Sequence, residues 1–187
     1  VVGIAGVETK CSFVTETLGF DACVSHLSES LAEDLMAACP DGADIYFESV
    51  GGKVFEAVLP VLNHQARISL CGLISQYGND DLDTTFETWM AQGEAAFTRA
   101  SIKAQRLSVG NFVRDYESQF LTEMGVWVRA GQIKYKEDLW SGLAQAPSAF
   151  RAMMAGRNFG KTLVGVGDDP TLDTTITARR AGTNVLT

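Results

Sequence analysis

The sequence is poor in the residues that build small cross-linked or fibrous proteins. Only 4 of its 187 residues are proline and 4 are cysteine. No two cysteines form a Cys-x-x-Cys pair, and no histidine stands at the spacing of a zinc site, so we expect reduced thiols and no bound metal. Hydrophobic residues make up 46% of the chain. That content excludes a disordered or low-complexity protein and is enough to build a core without cross-links.

Basic residues and long apolar runs are also scarce. Lysine and arginine total 15 against 23 acidic residues, which gives a formal net charge of -8. Such a surface repels phosphate backbones and anionic lipid, which argues against nucleic-acid and membrane partners. No apolar run approaches the roughly 20 residues of a membrane helix, and the first residues lack the basic segment of a secretory signal. We therefore expect a cytoplasmic protein.

Short apolar runs alternate with helical patterns along the first part of the chain. Strands are predicted over residues 1–5, 20–24, 44–48 and 66–73, with helices between them. This βαβαβαβ order, with short glycine-containing loops, predicts an α/β fold: a parallel sheet with helices on both faces. Further along, the pattern predicts an amphipathic helix over 117–130 and strands over 107–113, 133–136 and 161–166.

Ligands of open α/β sheets bind beyond the carboxyl ends of the strands. The segments that follow the predicted strands are 6–10, 25–26, 49–52 and 71–77, and we expect all of them to face one crevice. The Gly-x-Gly-x-x-Gly spacing of a dinucleotide site is absent, since Gly3 and Gly6 are not followed by a third glycine at the required place. On this motif alone, a nucleotide site has little support.

Several sequence blocks in fixed order nevertheless resemble a known family. They are Val-Gly-Ile-Ala-Gly at 2–6, Leu-Gly-Phe-Asp at 18–21, Cys-Pro-Asp-Gly at 39–42, Val-Gly-Gly at 50–52, Leu-Cys-Gly-Leu-Ile-Ser-Gln-Tyr at 70–77 and Gly-Arg-Asn-Phe-Gly-Lys at 156–161. Together they resemble the zinc-independent medium-chain dehydrogenase/reductases, in particular the prostaglandin reductases and the 2-alkenal or curcumin reductases. The resemblance covers residues 1–166.

The resemblance implies a Rossmann-like, doubly wound parallel sheet that is incomplete. In the family, the first strand and its glycine-rich turn precede the segment that this sequence resembles, and that strand lies between the strands predicted at 1–5 and 44–48. We expect a partial NADP-binding domain over 1–130, a segment returning towards the family's catalytic domain over 131–166, and a poorly ordered or contact-making tail over 167–187. Unpaired strand edges favour either re-pairing or association, and we expect a homodimer.

The resemblance also implies roles for individual residues. Lys10 matches the lysine that meets the 2′-phosphate of NADPH, which favours NADP(H) over NAD. The other implied cofactor contacts are His26 and Ser49 as polar groups, Cys71, Gly72, Ser75 and Tyr77 along the ribose and pyrophosphate, and Phe112 and Asn158 near the nicotinamide. Tyr77 is the predicted catalytic residue, because its hydroxyl can stabilise the enolate oxygen that develops during reduction.

These roles imply an NADPH-dependent oxidoreductase that reduces the C=C bond of α,β-unsaturated aldehydes or ketones. Quinone reduction by the same architecture remains open. A second alternative is a truncated fragment that is inactive alone and acts as a nucleotide-binding or dimerisation module. Because the glycine-rich turn provides much of the affinity for the pyrophosphate, we expect the isolated chain to bind the cofactor weakly or not at all and to be inactive.

Overall fold

The computed structural model describes residues 1–77 and 82–168. Seven strands lie in these residues: β1 Val2–Ala5, β2 Ala22–Ser25, β3 Ala43–Glu48, β4 Leu62–Leu70, β5 Lys103–Arg106, β6 Glu137–Ser141 and β7 Lys161–Gly165. The α-helices are α1 Glu8–Ser12, α2 Leu31–Ala38, α3 Gly52–Val58, α4 Leu82–Ala100, α5 Gly110–Arg129 and α6 Ala146–Met154. A π-helical turn, Phe13–Thr17, continues α1. The tail predicted over 167–187 lies, beyond residue 168, outside the described residues.

The chain divides into two compact units, Val1–Ala130 and Gly131–Thr187. In the first unit, β1 pairs with β2, and β3, β4 and β5 form a second sheet in that order. In the second unit, β6 pairs with β7. All of these pairs are parallel, which requires a crossover connection between paired strands. The predicted α/β class with parallel sheets is confirmed.

In the first unit, β1 and β3 are edge strands of their sheets. Within the described residues, β1 pairs only with β2 and β3 pairs only with β4 on that side. These are the two strands between which the sequence predicts an unfilled position, and they do not close it by pairing with each other. One face of β3 is also uncovered, with Ile45 63% and Phe47 58% exposed.

The core of the first unit lies on the other face of β4. Ile68 and Leu70 of this strand are buried against α3 and α4. Phe55 of α3 is fully buried and stacks on Trp89 of α4, with the ring centroids 4.6 Å apart. Phe97 completes this aromatic cluster at 5.8 Å from Trp89. Aromatic pairs of this kind contribute about 0.5–1.5 kcal/mol beyond the area that they bury, so the cluster fixes α3 and α4 beneath the strands.

Two strand predictions in the later part of the chain are wrong. Residues 107–113, predicted as a strand, do not form one. β5 ends just before them, at Arg106, and α5 begins within them, at Gly110. The Leu107 N–H still bonds to the Leu70 carbonyl at 2.7 Å, but the Asn111 N–H bonds to Ser108, which begins a helical turn. The apolar residues within 107–113 indicated a strand there, but the position of β5 is set by its pairing with β4.

The alternating segment 133–136 is a loop rather than a strand. Tyr135 is exposed, and the ladder with β7 begins only at Glu137, which stands opposite Lys161. Pairing with the partner strand decides which residues enter the sheet, and the alternating pattern of 133–136 does not show where that pairing begins.

Candidate functional site

The strand register brings the predicted site segments to the carboxyl edge of each sheet. In the first sheet Ala5 stands opposite Ser25, so the segments after β1 and β2 leave the sheet together. In the second sheet Glu48 stands opposite Leu70, and the segments after β3 and β4 likewise begin side by side. Both sheets therefore present their loops where α/β proteins bind ligands.

Lys10 and His26 lie at the carboxyl edge of the first sheet. Lys10 is in the short helix α1 directly after β1. His26 follows β2, and its N–H extends the ladder to the Ala5 carbonyl at 2.8 Å. The imidazole packs against Gly6, because a Cβ at that glycine would lie 3.3 Å from the His26 Nε2 atom. This edge thus carries a cation and an imidazole, groups that suit a phosphate.

At the second sheet, residues 49–52 and 71–77 form one hydrogen-bonded structure, which we call the turn–loop pair. The Ile74 N–H donates to the Ser49 carbonyl at 3.1 Å, and the Ser75 N–H donates to the Val50 carbonyl at 3.0 Å. The Ser75 hydroxyl also donates to that carbonyl. The Cys71 N–H donates to the Glu48 carbonyl at 2.8 Å. The structure therefore brings Ser49 together with the four predicted site residues of the loop: Cys71, Gly72, Ser75 and Tyr77.

The turn requires glycine at position 51. Gly51 has a φ of 75° and a ψ of -166°, a conformation that side-chain-bearing residues avoid. A Cβ at this position would also lie 2.9 Å from the Leu73 Cδ2 atom. Gly51 therefore permits both the turn and the close approach of the loop.

Tyr77 lies at the outer end of the turn–loop pair. Its side chain is 60% exposed, and its N–H donates to the Ile74 carbonyl at 3.3 Å. The Tyr77 hydroxyl reaches back over the loop and lies 4.0 Å from the position of a Cβ at Gly72. An accessible hydroxyl beside a bare backbone can hydrogen-bond a ligand oxygen placed on that surface.

Sequence reasoning missed one residue of this structure, Glu48. Its side chain is fully buried at the end of β3. The Glu48 Oε1 atom accepts the N–H groups of Val50 at 2.7 Å and Gly51 at 2.9 Å, and the Oε2 atom accepts the Trp89 indole N–H at 3.4 Å. Burial, together with the charge and hydrogen bond of Glu48, raises the pKa of Tyr46. The available signal was a glutamate that ends an apolar strand just before a Val-Gly-Gly turn.

Phe112 and Asn158 are not part of this grouping. Phe112 lies in the first turn of α5, where it lines a cavity of about 350 Å³ on the face of the second sheet that bears Ile45. No other predicted site residue lines that cavity. Asn158 belongs to the second unit, and its side-chain amide donates to the Gly160 carbonyl at 2.9 Å.

The described residues contain neither a metal-binding cluster nor a membrane-spanning helix. Across 1–77 and 82–168, no three histidine, cysteine or acidic side chains are grouped so that they could hold a metal ion. None of the described helices has the length and apolarity to span a membrane.

Parallel strands, crossover helices and polar loops at the carboxyl edge define a Rossmann-like α/β protein. A protein-family model described as zinc-binding dehydrogenase matches residues 18–164. The chain therefore belongs to the zinc-binding dehydrogenase family.

Among curated proteins, the chain is 43% identical over 175 residues to the NADPH-dependent curcumin reductase of Escherichia coli, covering 90% of this chain and 49% of the relative. It is 36% identical over 172 residues to the NADP(+)-dependent 2-alkenal reductase of Nicotiana tabacum, covering 88% of this chain and 46% of the relative. The chain thus spans about half the length of the curated relatives that it matches. The resemblance to the curcumin and alkenal reductases is confirmed.

Among solved structures, the crystal structure of CurA in complex with NADPH from Vibrio vulnificus matches with a TM-score of 0.78 and 44% identity, covering 90% of this chain and 50% of that chain. A mycobacterial structure complexed with NADPH, Rv1454c, matches with a TM-score of 0.68 at 20% identity, covering 88% of this chain and 48% of that one. The second match shows the fold alone. Both confirm the Rossmann-like architecture.

Proposed function

We propose that this chain is the NADP(H)-binding part of an oxidoreductase that reduces the C=C bond of α,β-unsaturated aldehydes or ketones. The observation that carries the proposal is the turn–loop pair. It holds a serine, a bare glycine and an accessible tyrosine hydroxyl at the carboxyl edge of the second sheet. Relatives named as an NADPH-dependent curcumin reductase and a 2-alkenal reductase support this substrate class.

The donor groups at the two sheet edges fit the chemistry of NADP(H). Lys10 and His26 supply positive charge and a hydrogen-bonding ring for the 2′-phosphate end. Ser49, Cys71, Gly72, Ser75 and Tyr77 supply hydroxyls and uncovered backbone for the ribose and pyrophosphate. The nicotinamide contacts that the resemblance implies for Phe112 and for Asn158 remain predictions. When bound, the cofactor supplies the hydride that is added to the β-carbon of the substrate.

Tyr77 is the proposed catalytic residue. As the β-carbon receives the hydride, the electron pair of the C=C bond moves towards the carbonyl group and negative charge develops on its oxygen. A tyrosine hydroxyl that donates a hydrogen bond to this oxygen stabilises the charge most where it is largest, in the transition state. Protonation at the α-carbon then yields the saturated product.

The test is the consumption of NADPH with an unsaturated ketone, followed by absorbance in a protein that joins this chain to the catalytic domain of the family and in the Tyr77→Phe variant of that protein. Loss of one donor to a developing oxyanion should lower kcat by about 10²–10³-fold while leaving the Kd for NADPH within a few-fold. Trp127→Phe, a ring substitution in α5 outside the proposed site, is the control and should retain wild-type kcat. A Tyr77→Phe variant with wild-type kcat would refute the catalytic role.

The alternative of a nucleotide-binding module that is inactive on its own is favoured by one observation: the chain spans about half the length of its curated relatives. NADPH binding without any turnover of an enone would support it. Turnover by the 187-residue chain itself would exclude it.

We further propose that the first unit carries the cofactor site, that residues 131–166 pack towards a catalytic domain as in the family, and that the protein is cytoplasmic. A homodimer is proposed as well. It is supported by the uncovered face of β3 and by the strands β1 and β3, each of which is paired on one edge within the described residues.

A further inference from the structure

Hydrogen-bond donors surround the buried carboxylate of Glu48. Two backbone N–H groups and the Trp89 indole donate to its oxygens, and the Tyr46 hydroxyl bonds to it as well. A buried carboxylate is costly unless its oxygens are fully hydrogen-bonded. The Glu48 carboxylate therefore accepts hydrogen bonds from specific donors and holds those donors in place.

Those partners explain how the turn–loop pair is oriented. In a trans peptide the C=O and N–H groups point in opposite directions. Because the Val50 N–H points to Glu48, the Ser49 carbonyl of the same peptide faces the other way, where it accepts the Ile74 N–H at 3.1 Å.

The next peptide repeats the arrangement. The Gly51 N–H bonds to Glu48, and the Val50 carbonyl accepts the Ser75 N–H at 3.0 Å. Two consecutive peptides are thus held between the carboxylate on one side and the loop 71–77 on the other. The amides of Val50 and Gly51 are engaged by Glu48 and are not offered to a ligand phosphate.

We propose that Glu48 is a positioning residue for the cofactor site, acting through these two peptides on the loop that carries Cys71, Gly72, Ser75 and Tyr77. This inference rests on the proposed function for its cofactor. The coupling of the buried carboxylate to the loop rests on the hydrogen bonds alone.

Amide hydrogen exchange, followed by NMR on the 187-residue chain, tests the coupling. Glu48→Met keeps the side-chain length but removes both acceptors. It should accelerate exchange about tenfold or more at Val50 and Gly51 and also at Ile74 and Ser75, which keep their own acceptors. Glu48→Gln retains one acceptor oxygen and should stay within about threefold of the wild type. Glu56→Gln, at an exposed position of α3, is the matched control and should not change these rates.

Acceleration confined to Val50 and Gly51 would show a local role and overturn the proposal, as would unchanged exchange at all four amides. If Glu48→Met does not fold, Glu48→Asp replaces it. Its shorter side chain cannot hold the same contacts, and exchange should again rise at all four amides. Unchanged rates in Glu48→Asp at Ile74 and Ser75 would overturn the proposal.

NADPH titration of the same variants separates the positioning role from the proposed function. Where the wild type binds NADPH, Glu48→Met should raise the Kd about tenfold, and Glu48→Gln should restore it to within about threefold. An unchanged Kd in Glu48→Met would overturn the positioning role while leaving the proposed function intact. If the wild type binds no NADPH, the proposed function fails for this chain, and the exchange rates alone decide whether Glu48 holds the loop.

Discussion

At the scale of the residue, we propose that Lys10 carries the choice between the two nicotinamide cofactors. Lys10 lies in the short helix that follows β1, at the carboxyl edge of the first sheet. A 2′-phosphate adds charge that the 2′-hydroxyl of NADH lacks. Lys10 should therefore stabilise only the phosphorylated cofactor.

In a protein that joins this chain to the glycine-rich turn of the family, Lys10→Ala should accordingly weaken NADPH binding about tenfold or more while changing the affinity for NADH by less than about twofold. Fluorescence titration with each cofactor measures both constants. Lys103→Ala, at the amino-terminal end of β5, is the control and should leave both unchanged. Equal losses for NADPH and NADH in Lys10→Ala would remove the 2′-phosphate role.

Residue-level burial was only partly predictable from the sequence. In β3, apolar Ile45 and Phe47 alternate with Tyr46 and Glu48, a pattern that favours the first two as the buried face. The structure shows the reverse: Glu48 is fully buried, whereas Ile45 and Phe47 are exposed. Which side chains of β3 are buried depends on which face of the sheet is covered and on where the Val50 and Gly51 amides find an acceptor. Neither can be read from the local sequence.

At the scale of the element, the site is held by the turn–loop pair rather than by a helix. Its loop lies against a turn whose backbone only glycine adopts without strain. The rigidity of Ser49, Ser75 and Tyr77 relative to one another therefore depends on Gly51 as well as on Glu48.

Gly51→Ala should destabilise the chain by about 1–3 kcal/mol, because the added Cβ is strained at positive φ and meets Leu73. Urea denaturation gives the change in free energy of unfolding. Gly72→Ala is the matched comparison. Its Cβ would meet nothing closer than 3.8 Å, so we expect little change in stability. Equal stability of Gly51→Ala and the wild type would contradict the account of the turn.

Elements with strong apolar runs and glycine punctuation were predictable. The first four strands overlap their predicted ranges, because each contains a short apolar run beside a turn or loop. The placement of Phe112 in a helix was not predicted, since β5 is the polar segment Lys103–Arg106 and is a strand only because it pairs with β4. The predicted strand order already placed Ser49 beside the loop 71–77. The hydrogen bonds of Glu48, in contrast, are visible only in the structure.

At the scale of the whole molecule, the first unit has two kinds of incomplete surface: unpaired strand edges and an uncovered apolar face. β1 and β3 each have one partner in the described part of the chain, and Ile45 and Phe47 stand on the uncovered face. Open strand edges and exposed aromatic side chains favour association with another polypeptide chain.

We expect the 187-residue chain to sediment as a dimer. Phe47→Lys places a charge on the uncovered face and should shift the protein towards monomer with unchanged circular dichroism. Leu143→Lys, at an exposed position of the second unit, is the control and should remain dimeric. A monomeric wild type, or a Phe47→Lys dimer as stable as that of the control, would contradict this interface.

Binding of NADP(H) at the carboxyl edges of the two sheets can be measured by an NMR titration of the chain with NADPH. We expect weak, saturable binding in the millimolar range, with amide shifts concentrated at Lys10, His26, Ser49 and residues 71–77. Shifts confined to other surfaces, or no shifts at NADPH concentrations well above the millimolar range, would contradict the proposed site.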